Sequence, residues 1–161
     1  MNAVIYCASR SGNTRAVADA IAEGLRAYGP TSLHLLDGTR SSHIDPGADI
    51  VLVGGPTEGH GMTEAVTTFL DRLPDGWLRG RAAAAFDTRL SWPRWLSGSA
   101  AAGIAKRLQA SGARIVAGPE SFIVSTTPEL HAGELERARA WGAALGERLH
   151  ATSTLDIGVA S

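Results

Sequence analysis

The sequence predicts an α/β fold in which a five-stranded parallel sheet, in the order 2-1-3-4-5, lies between two layers of helices. Apolar segments of strand length alternate along the chain with segments whose apolar residues recur every three or four positions. Several of the strand segments are apolar throughout, which is typical of parallel strands that are covered on both faces. Right-handed crossovers between such strands give a three-layer, doubly wound architecture.

The first half of the chain contains three predicted strands and two predicted helices. The strands are expected at residues 3–8, 32–36 and 49–55. One helix is expected to begin near Thr14 and another to cover about 63–73. The polar, turn-rich segment 37–46 is expected to connect the second and third strands. The helical residues expected to face the core are Val17, Ile21, Leu25, Tyr28, Ala65, Val66, Phe69, Leu70 and Leu73.

The second half continues this alternation. The elements are expected at 81–86 (strand), about 99–111 (helix), 113–117 with a continuation at 121–125 (strand) and about 131–149 (helix). A long loop, residues 88–98, follows the fourth strand and carries Trp92 and Trp95. The residues expected to face the core from the last two helices are Ala101, Ile104, Ala105, Leu108, Leu135, Ala138, Gly142, Leu145 and Leu149.

A polar turn joins the first strand to the first helix. It reads Ser9-Arg10-Ser11-Gly12-Asn13-Thr14. Backbone N–H groups at a helix N-terminus are free and favour an anion, so one hypothesis is a phosphate site. The alternative is that its Ser, Asn and Thr are ordinary helix caps and Gly12 an ordinary turn residue. The patterns G-x-G-x-x-G and G-K-[ST] are absent, which disfavours a dinucleotide-binding Rossmann site and a P-loop NTPase.

Two further loops are expected at the same edge of the sheet as this turn. Residues 54–62 follow the third strand and residues 87–98 follow the fourth. In doubly wound folds ligands bind outside the carboxyl ends of the strands, at the switch point between strands one and three. The convergence of three polar or glycine-rich loops at one edge therefore favours a ligand site over a set of ordinary caps.

The first strand and the polar turn resemble the flavodoxin signature, an apolar strand followed by an S/T-x-x-G-N-T phosphate loop. Residues 54–62, with Pro-Thr and Gly-Met, resemble the second flavin loop of that family, and residues 84–95 lie where the family has its third. The likeness covers about residues 3–149, and the short break at 118–120 implies the short-chain form. It implies a flavodoxin-like domain over 1–149 and a C-terminal tail over 150–161.

The resemblance implies FMN as the cofactor and gives each loop a role. The turn 9–14 would bind the phosphate, residues 56–61 would meet the ribityl chain and ring edge, and the amides of 87–89 would serve the pyrimidine end. Trp92 or Trp95 would stack on the ring. The expected cofactor-binding residues are Ser9, Arg10, Ser11, Gly12, Asn13, Thr14, Pro56, Thr57, Glu58, Gly59, His60, Gly61, Asp87, Thr88, Arg89, Trp92 and Trp95. No residue is assigned a catalytic role.

Alternatives remain open for several of these residues. Either tryptophan of the third loop could plug that loop against the core, whereas Trp77 and Trp141 are assigned to packing or to the surface. His60 could be a solvated loop residue or a group that titrates beside the flavin. Asp87 could shape its loop instead of contacting a ligand.

Composition narrows the classes of partner. The formal net charge is −1, without a long basic or acidic block, so nothing indicates nucleic acid or a membrane surface.

The single cysteine, Cys7, lies in the first strand, so no internal disulfide is possible and a buried core residue is expected. No His/Cys cluster has metal-ligand spacing, and we expect no metal. The apolar runs are too short to span a bilayer, and we expect a cytoplasmic protein.

Three functions follow from this interpretation. The first is an FMN-binding electron-transfer protein that serves a redox protein partner or a small-molecule acceptor. The second is an FMN-dependent NAD(P)H oxidoreductase acting on quinones or a similar small acceptor. The third is a flavin-free binding module of the same fold. Electron-carrier flavodoxins are usually strongly acidic, and this chain lacks that charge. The oligomeric state is left open.

Overall fold

A parallel sheet organises the structure, a computed structural model that describes residues 1–38 and 44–158. The strands are β1 (Ala3–Cys7), β2 (Thr31–Leu35), β3 (Ile50–Pro56), β4 (Ala82–Leu90), β5 (Arg114–Ile115) and β6 (Glu120–Val124). The helices are α1 (Asn13–Arg26), α2 (Glu64–Asp71), α3 (Arg94–Ser97), α4 (Ala100–Ala110) and α5 (Glu134–Gly158). Residues 39–43 of the predicted connection and 159–161 of the predicted tail lie outside the described residues.

The sheet has the predicted order, β2-β1-β3-β4-β5, and every pairing in it is parallel. Its fifth position is divided between two short strands. β5 pairs with the beginning of β4, at Ala82↔Arg114, and β6 pairs with the end of β4, at Phe86↔Glu120. The break falls at residues 116–119, where a proline removes a backbone N–H that a continuous ladder would need. The predicted continuation of the fifth strand is therefore a separate strand.

Each face of the sheet covers its own hydrophobic cluster. On one face Val4 and Tyr6 pack with residues of α2 and α4, and on the other Ile5 and Cys7 pack with residues of α1 and α5. This alternation along β1 is the period of a strand that is buried on both sides. Burial raises the pKa of the Cys7 thiol to about 12, so this cysteine is an inert core residue at neutral pH.

Two sequence predictions about element boundaries and one about a core residue are wrong. β4 continues to Leu90 and does not end at Phe86, because it pairs with β3 on one side and β6 on the other. Leu135 is 38% exposed, since it borders a surface groove beside Ala16 and Ala20 of α1 and does not face the core. The last helix continues to Gly158, well past its predicted end at residue 149. The division between a domain and a tail at that residue stays a prediction.

Helices α1 and α5 pack backbone against backbone. A Cβ atom on Gly142 would overlap the carbonyl group of Ile21, and one on Gly24 would overlap the carbonyl group of Arg139. Glycine at both crossing points lets the two helix axes approach more closely than any larger residue would allow. At the surface of this contact Arg139 and Glu23 form an exposed ion pair of 2.9 Å.

An ion-pair cluster fixes the start of α5 on β6. Arg137 donates to Glu134 at 2.8 Å and to Glu120 at 2.6 Å, and its guanidinium lies 4.4 Å from the centre of the Phe122 ring. Glu134 also accepts a hydrogen bond of 2.6 Å from the backbone N–H of Ile123. Burial raises the pKa of the Glu134 carboxyl, but the hydrogen bonds from Arg137 and Ile123 outweigh burial and lower the pKa overall.

Glu134→Gln should make the protein less stable at pH 7 but less sensitive to acid. The folded-state pKa of Glu134 lies below its unfolded value of about 4.3, so its contribution is present above that pH and is lost as the pH falls through the folded pKa. We expect a loss of about 1–3 kcal/mol in the free energy of unfolding at pH 7, which shrinks toward pH 3. Urea denaturation at pH 3, 5 and 7 measures this, and Glu147→Gln, an exposed position on α5, is the control. Parallel pH profiles for wild type and Glu134→Gln would contradict the prediction.

Among the described helices, none has both the length and the apolar character needed to cross a lipid bilayer.

Candidate functional site

The three polar loops predicted to converge do meet at the carboxyl edge of the sheet. The first loop contacts the second through an ion pair of 3.5 Å between Arg10 and Glu58. The second contacts the third so closely that a Cβ atom on Gly98 would overlap the backbone of His60. These contacts place the segments after β1, β3 and β4 around one region, as expected at the switch point of a doubly wound sheet.

The turn 9–14 presents a row of free backbone donors. Gly12 is the N-cap residue of α1 and has a φ of 88°, a left-handed conformation that favours glycine. Within the described part of the chain, the backbone N–H groups of residues 10–14 donate to no protein acceptor. Ser9 folds back over the turn, and its Oγ accepts a hydrogen bond of 3.2 Å from the N–H of Arg15. Five free donors at a helix N-terminus suit an anionic oxygen group.

Asn13 connects the turn to a fourth loop, which the sequence did not indicate as part of the site. Its Nδ2 donates to the carbonyl oxygen of Pro128 at 2.7 Å and to Ser11 Oγ at 3.3 Å. Pro128 lies between β6 and α5, after Ser125-Thr126-Thr127. These hydroxyl-bearing residues at the end of a predicted strand were the signal that could have identified this loop.

The side chain of Thr14 points toward the sheet. It is 2% exposed, and its Oγ1 lies 2.7 Å from Oγ1 of Thr88, which is also buried. One of the two hydroxyl protons is used in this bond, and the other remains available as a donor. The pairing gives each of these buried hydroxyls a hydrogen-bond partner. The predicted contact of the Thr14 hydroxyl with a phosphate stays a prediction.

The second loop contains a tight two-residue hairpin. Glu58 and Gly61 exchange backbone hydrogen bonds of 2.9 and 3.0 Å, with Gly59 and His60 at the turn. Both turn residues have positive φ values, 52° and 71°, as a type I′ turn requires. Among the described residues His60 is the only non-glycine residue with such a φ. A side chain held in this conformation at a loop tip is typical of functional sites.

Asp87 lies beneath the second and third loops, fully buried. Its Oδ2 accepts hydrogen bonds from Thr57 Oγ1 at 3.1 Å, Ser99 Oγ at 2.8 Å and the N–H of Ala101 at 2.9 Å. Its Oδ1 has no hydrogen-bond partner among the described residues. The carboxylate therefore faces protein groups, and Ser99, absent from the predicted site, is one of its partners.

The prediction of a loop at residues 87–89 is wrong. These residues belong to β4, where Asp87 pairs with Gly55 and Ser121, and Thr88 with Pro56 and Phe122. A strand that is paired on both sides uses its backbone groups in the ladder. The proposed role of these amides at a pyrimidine ring stays a prediction, and this pairing does not support it.

The third loop exposes two tryptophans. Trp92 is 48% exposed, Trp95 is 84% exposed, and Leu96 beside them is 45% exposed. Arg89 fixes the start of the loop, since its Nη1 donates to the carbonyl oxygen of Trp92 at 2.8 Å. A cluster of exposed large apolar side chains marks a surface that contacts a ligand or a partner.

The other two tryptophans, which the sequence assigned to packing or to the surface, are partly buried and pack against the two hydrophobic clusters. Trp77 packs edge-on against Tyr6, with ring centres 6.3 Å apart, and its Nε1 donates to the carbonyl oxygen of Asp45. Trp141 packs edge-on against Phe86 and Phe122. The four tryptophans therefore divide into two that pack against the hydrophobic clusters and two that are exposed on the third loop.

The donor set fits the phosphate and ring of a flavin nucleotide. The turn offers neutral N–H and hydroxyl donors to a dianion, and the third loop offers exposed aromatic rings to a planar ligand. Groups of three or more His, Cys, Asp and Glu side chains that could hold a metal do not occur in residues 1–38 and 44–158.

Comparison with known proteins agrees with this geometry. The family described as flavodoxin matches residues 4–142. No curated protein matches the sequence closely enough to count as a relative. The structure is similar to oxidised Flavodoxin 1 from Bacillus cereus, with 26% identity, a TM-score of 0.70, and coverage of 89% of this chain and 95% of that one.

Two more distant structures share the fold. One is a flavodoxin from the domain Archaea, with 19% identity, a TM-score of 0.72, and coverage of 93% of this chain and 99% of that one. The other is the flavodiiron protein from Giardia intestinalis, with 23% identity and a TM-score of 0.72. That match covers 93% of this chain but 36% of the flavodiiron protein, so it concerns one part of a larger chain.

Proposed function

The chain belongs to the flavodoxin family and is an FMN-binding electron-transfer protein, and from this premise we propose how its loops hold the cofactor. In the proposal the turn 9–14 binds the phosphate of FMN. The hairpin 58–61 and the third loop, residues 91–98, border the isoalloxazine ring. When bound, FMN supplies the redox chemistry, while the protein supplies binding, orientation and the electrostatic environment.

The free N–H groups of residues 10–14 are the observation that carries the proposal. A phosphate dianion can accept all of them, and each hydrogen bond to a charged group contributes about 1.5–3 kcal/mol. Arg10 adds little net charge here, because its side chain is 83% exposed and pairs with Glu58. The turn therefore binds the dianion mainly through backbone dipoles.

The two loops at the ring end have complementary properties. The hairpin brings backbone groups and glycines close to the ligand region, and the third loop brings aromatic rings. Because Gly98 contacts the backbone of His60, the two loops form one continuous border. This arrangement would orient the ring and exclude water from one side of it.

Separate Trp92→Ala and Trp95→Ala variants should identify the ring that stacks on the flavin. Loss of the stacking tryptophan should weaken FMN binding by about 0.5–1.5 kcal/mol and reduce the quenching of flavin fluorescence. Loss of the other tryptophan should leave both the affinity and the quenching unchanged. Fluorescence titration with FMN measures both effects. Trp92→Phe and Trp95→Phe, which keep an aromatic ring, are the matched controls. Unchanged quenching in both alanine variants would contradict the prediction.

The partner is proposed to be a redox protein or a small-molecule acceptor. Neither direct use of a nicotinamide nor a flavin-free role is favoured, because the family is one of electron carriers. The cytoplasmic location expected from the sequence stays a prediction.

Titration of the flavin-free protein with FMN tests the proposed function. We expect saturable quenching of FMN fluorescence and a visible absorption spectrum that stays with the protein on gel filtration. Reduction of the bound flavin through a separate reductase, with little direct oxidation of NAD(P)H, is expected of an electron carrier. Rapid NAD(P)H oxidation by the purified protein would instead indicate a reductase, and absence of FMN binding would exclude both.

A further inference from the structure

A buried carboxylate connects the two loops at the ring end of the site. Asp87 Oδ2 accepts hydrogen bonds from Thr57, on the second loop, and from Ser99, at the end of the third. It also accepts from the N–H of Ala101, in the first turn of α4. We call Asp87, Thr57 and Ser99 the Asp87 clamp. Hydrogen bonds to a buried charged group are among the stronger ones in proteins.

The Asp87 clamp also caps α4 from three separate segments. Ala100 N–H donates to Thr57 Oγ1 at 2.9 Å, Ala101 N–H to Asp87, and Ala102 N–H to Ser99 Oγ at 3.3 Å. An ordinary cap comes from one residue next to the helix. Here the acceptors come from the second loop (Thr57), from β4 (Asp87) and from the residue before α4 (Ser99). Displacement of the second or the third loop would therefore leave buried N–H groups of α4 without partners.

The clamp lies where the two loops touch. Ser99 directly follows Gly98, whose backbone packs against His60 at the tip of the hairpin. Thr57 directly precedes Glu58, the first residue of the hairpin. Asp87 Oδ2 therefore binds the residue before the hairpin and the residue after the third loop. The distance between the two loops depends on these hydrogen bonds.

We propose that Asp87 is a positioning residue that fixes the hairpin 58–61 against the loop 91–98 and thereby sets the orientation of the flavin ring. This inference rests on the proposed function and replaces a direct contact between Asp87 and FMN. Asp87 acts through Thr57 and Ser99, and its own carboxylate stays beneath the loops. The hydrogen bonds of the clamp do not include residues 9–14, which meet the hairpin through the exposed ion pair between Arg10 and Glu58, so we expect loss of the clamp to act at the ring end of the site.

Variants of Ser99 and Asp87 test the proposal. Ser99→Ala removes one donor to Asp87, Ser99→Thr keeps a hydroxyl, and Asp87→Asn removes the charge. Riboflavin, which lacks the phosphate, and FMN are titrated into each flavin-free variant, and the visible circular dichroism of the bound flavin is recorded. We expect Ser99→Ala and Asp87→Asn to weaken both ligands by the same factor, about tenfold, and to change the dichroism spectrum. Ser99→Thr, which keeps the hydroxyl, should bind riboflavin and FMN with affinities within about twofold of wild type.

The matched control is Thr67→Ala, which removes a side-chain hydrogen bond of α2. Thr67 Oγ1 donates to the carbonyl oxygen of Thr63 at 3.1 Å and makes no bond to the clamp. This variant should leave riboflavin affinity and the dichroism spectrum unchanged. Wild-type values in both Ser99→Ala and Asp87→Asn, or the same changes in Thr67→Ala, would overturn the inference while the proposed function stands. Failure of the wild type to bind either flavin would overturn the proposed function and this inference together. If Asp87→Asn does not fold, Ser99→Ala decides the result.

Discussion

Gly142→Ala should lower the free energy of unfolding by about 2 kcal/mol, although alanine is the better helix former. The gain in helix propensity is at most about 1 kcal/mol. Against it, the new methyl group would overlap the backbone of Ile21 on α1, and a backbone cannot move aside as a flexible side chain can. Overpacking of a buried contact typically costs about 1–3 kcal/mol, and the rigid neighbour places this case at the upper end. Chemical denaturation followed by far-ultraviolet circular dichroism measures the loss.

Gly118→Ala is the matched control for this substitution. Gly118 lies between β5 and β6 and is exposed, and a Cβ atom added there would have no neighbouring atom within 4 Å. Its φ is not in the left-handed region, so alanine fits there without strain. We expect a change within about 0.5 kcal/mol. Equal effects of Gly118→Ala and Gly142→Ala would show that the contact between α1 and α5 is not close.

Ser9→Ala combined with Thr14→Ala should weaken FMN binding by about 1–3 kcal/mol, because hydroxyl donors to a charged group are lost. Both residues also shape the turn: Ser9 accepts from the N–H of Arg15, and Thr14 pairs with Thr88. Their removal loosens the free N–H groups that the phosphate requires. Riboflavin, which has no phosphate, should bind the variant as it binds the wild type. Fluorescence titration with both ligands measures the difference.

Two results distinguish the interpretations of this turn. Thr14→Ser keeps the hydroxyl that faces Thr88 and should keep most of the FMN affinity. Unchanged FMN affinity in the double variant would mean that the turn is only a helix cap. An equal loss for riboflavin and FMN would mean that the substitutions act on the ring end and not on the phosphate.

The parallel sheet with helices on both faces could be predicted because the buried strands are apolar throughout. Val4 and Ile5 face opposite clusters, and such a pattern requires helices on both sides of the sheet. The end of β4 could not be predicted, because Asp87 and Thr88 are polar and look like loop residues. They are in a strand because their side chains find buried partners in Ser99 and Thr14. These tertiary hydrogen bonds outweigh the local preference of the two polar residues for a loop.

The position of the turn 9–14 between a strand and a helix could also be predicted from the sequence, since all of its residues are local. The contacts between loops could not be predicted from the sequence. Asn13 and Pro128 are 115 positions apart and meet because β6, parallel to the other strands, carries the chain to the same edge of the sheet just before Pro128. The partners of Asp87 were missed for the same reason, because Thr57 and Ser99 lie on different loops.

If the turn 9–14 binds a phosphate as proposed, the close contact between α1 and α5 bears on ligand binding as well as on stability. Because the backbone of α1 is fixed against α5 at Gly24 and Gly142, the N-terminus of α1 cannot shift without breaking that contact. The donors of the turn 9–14 are therefore held near their final places before a phosphate arrives. Preorganisation of this kind leaves little conformational entropy to be lost on binding, so more of the interaction energy appears as affinity.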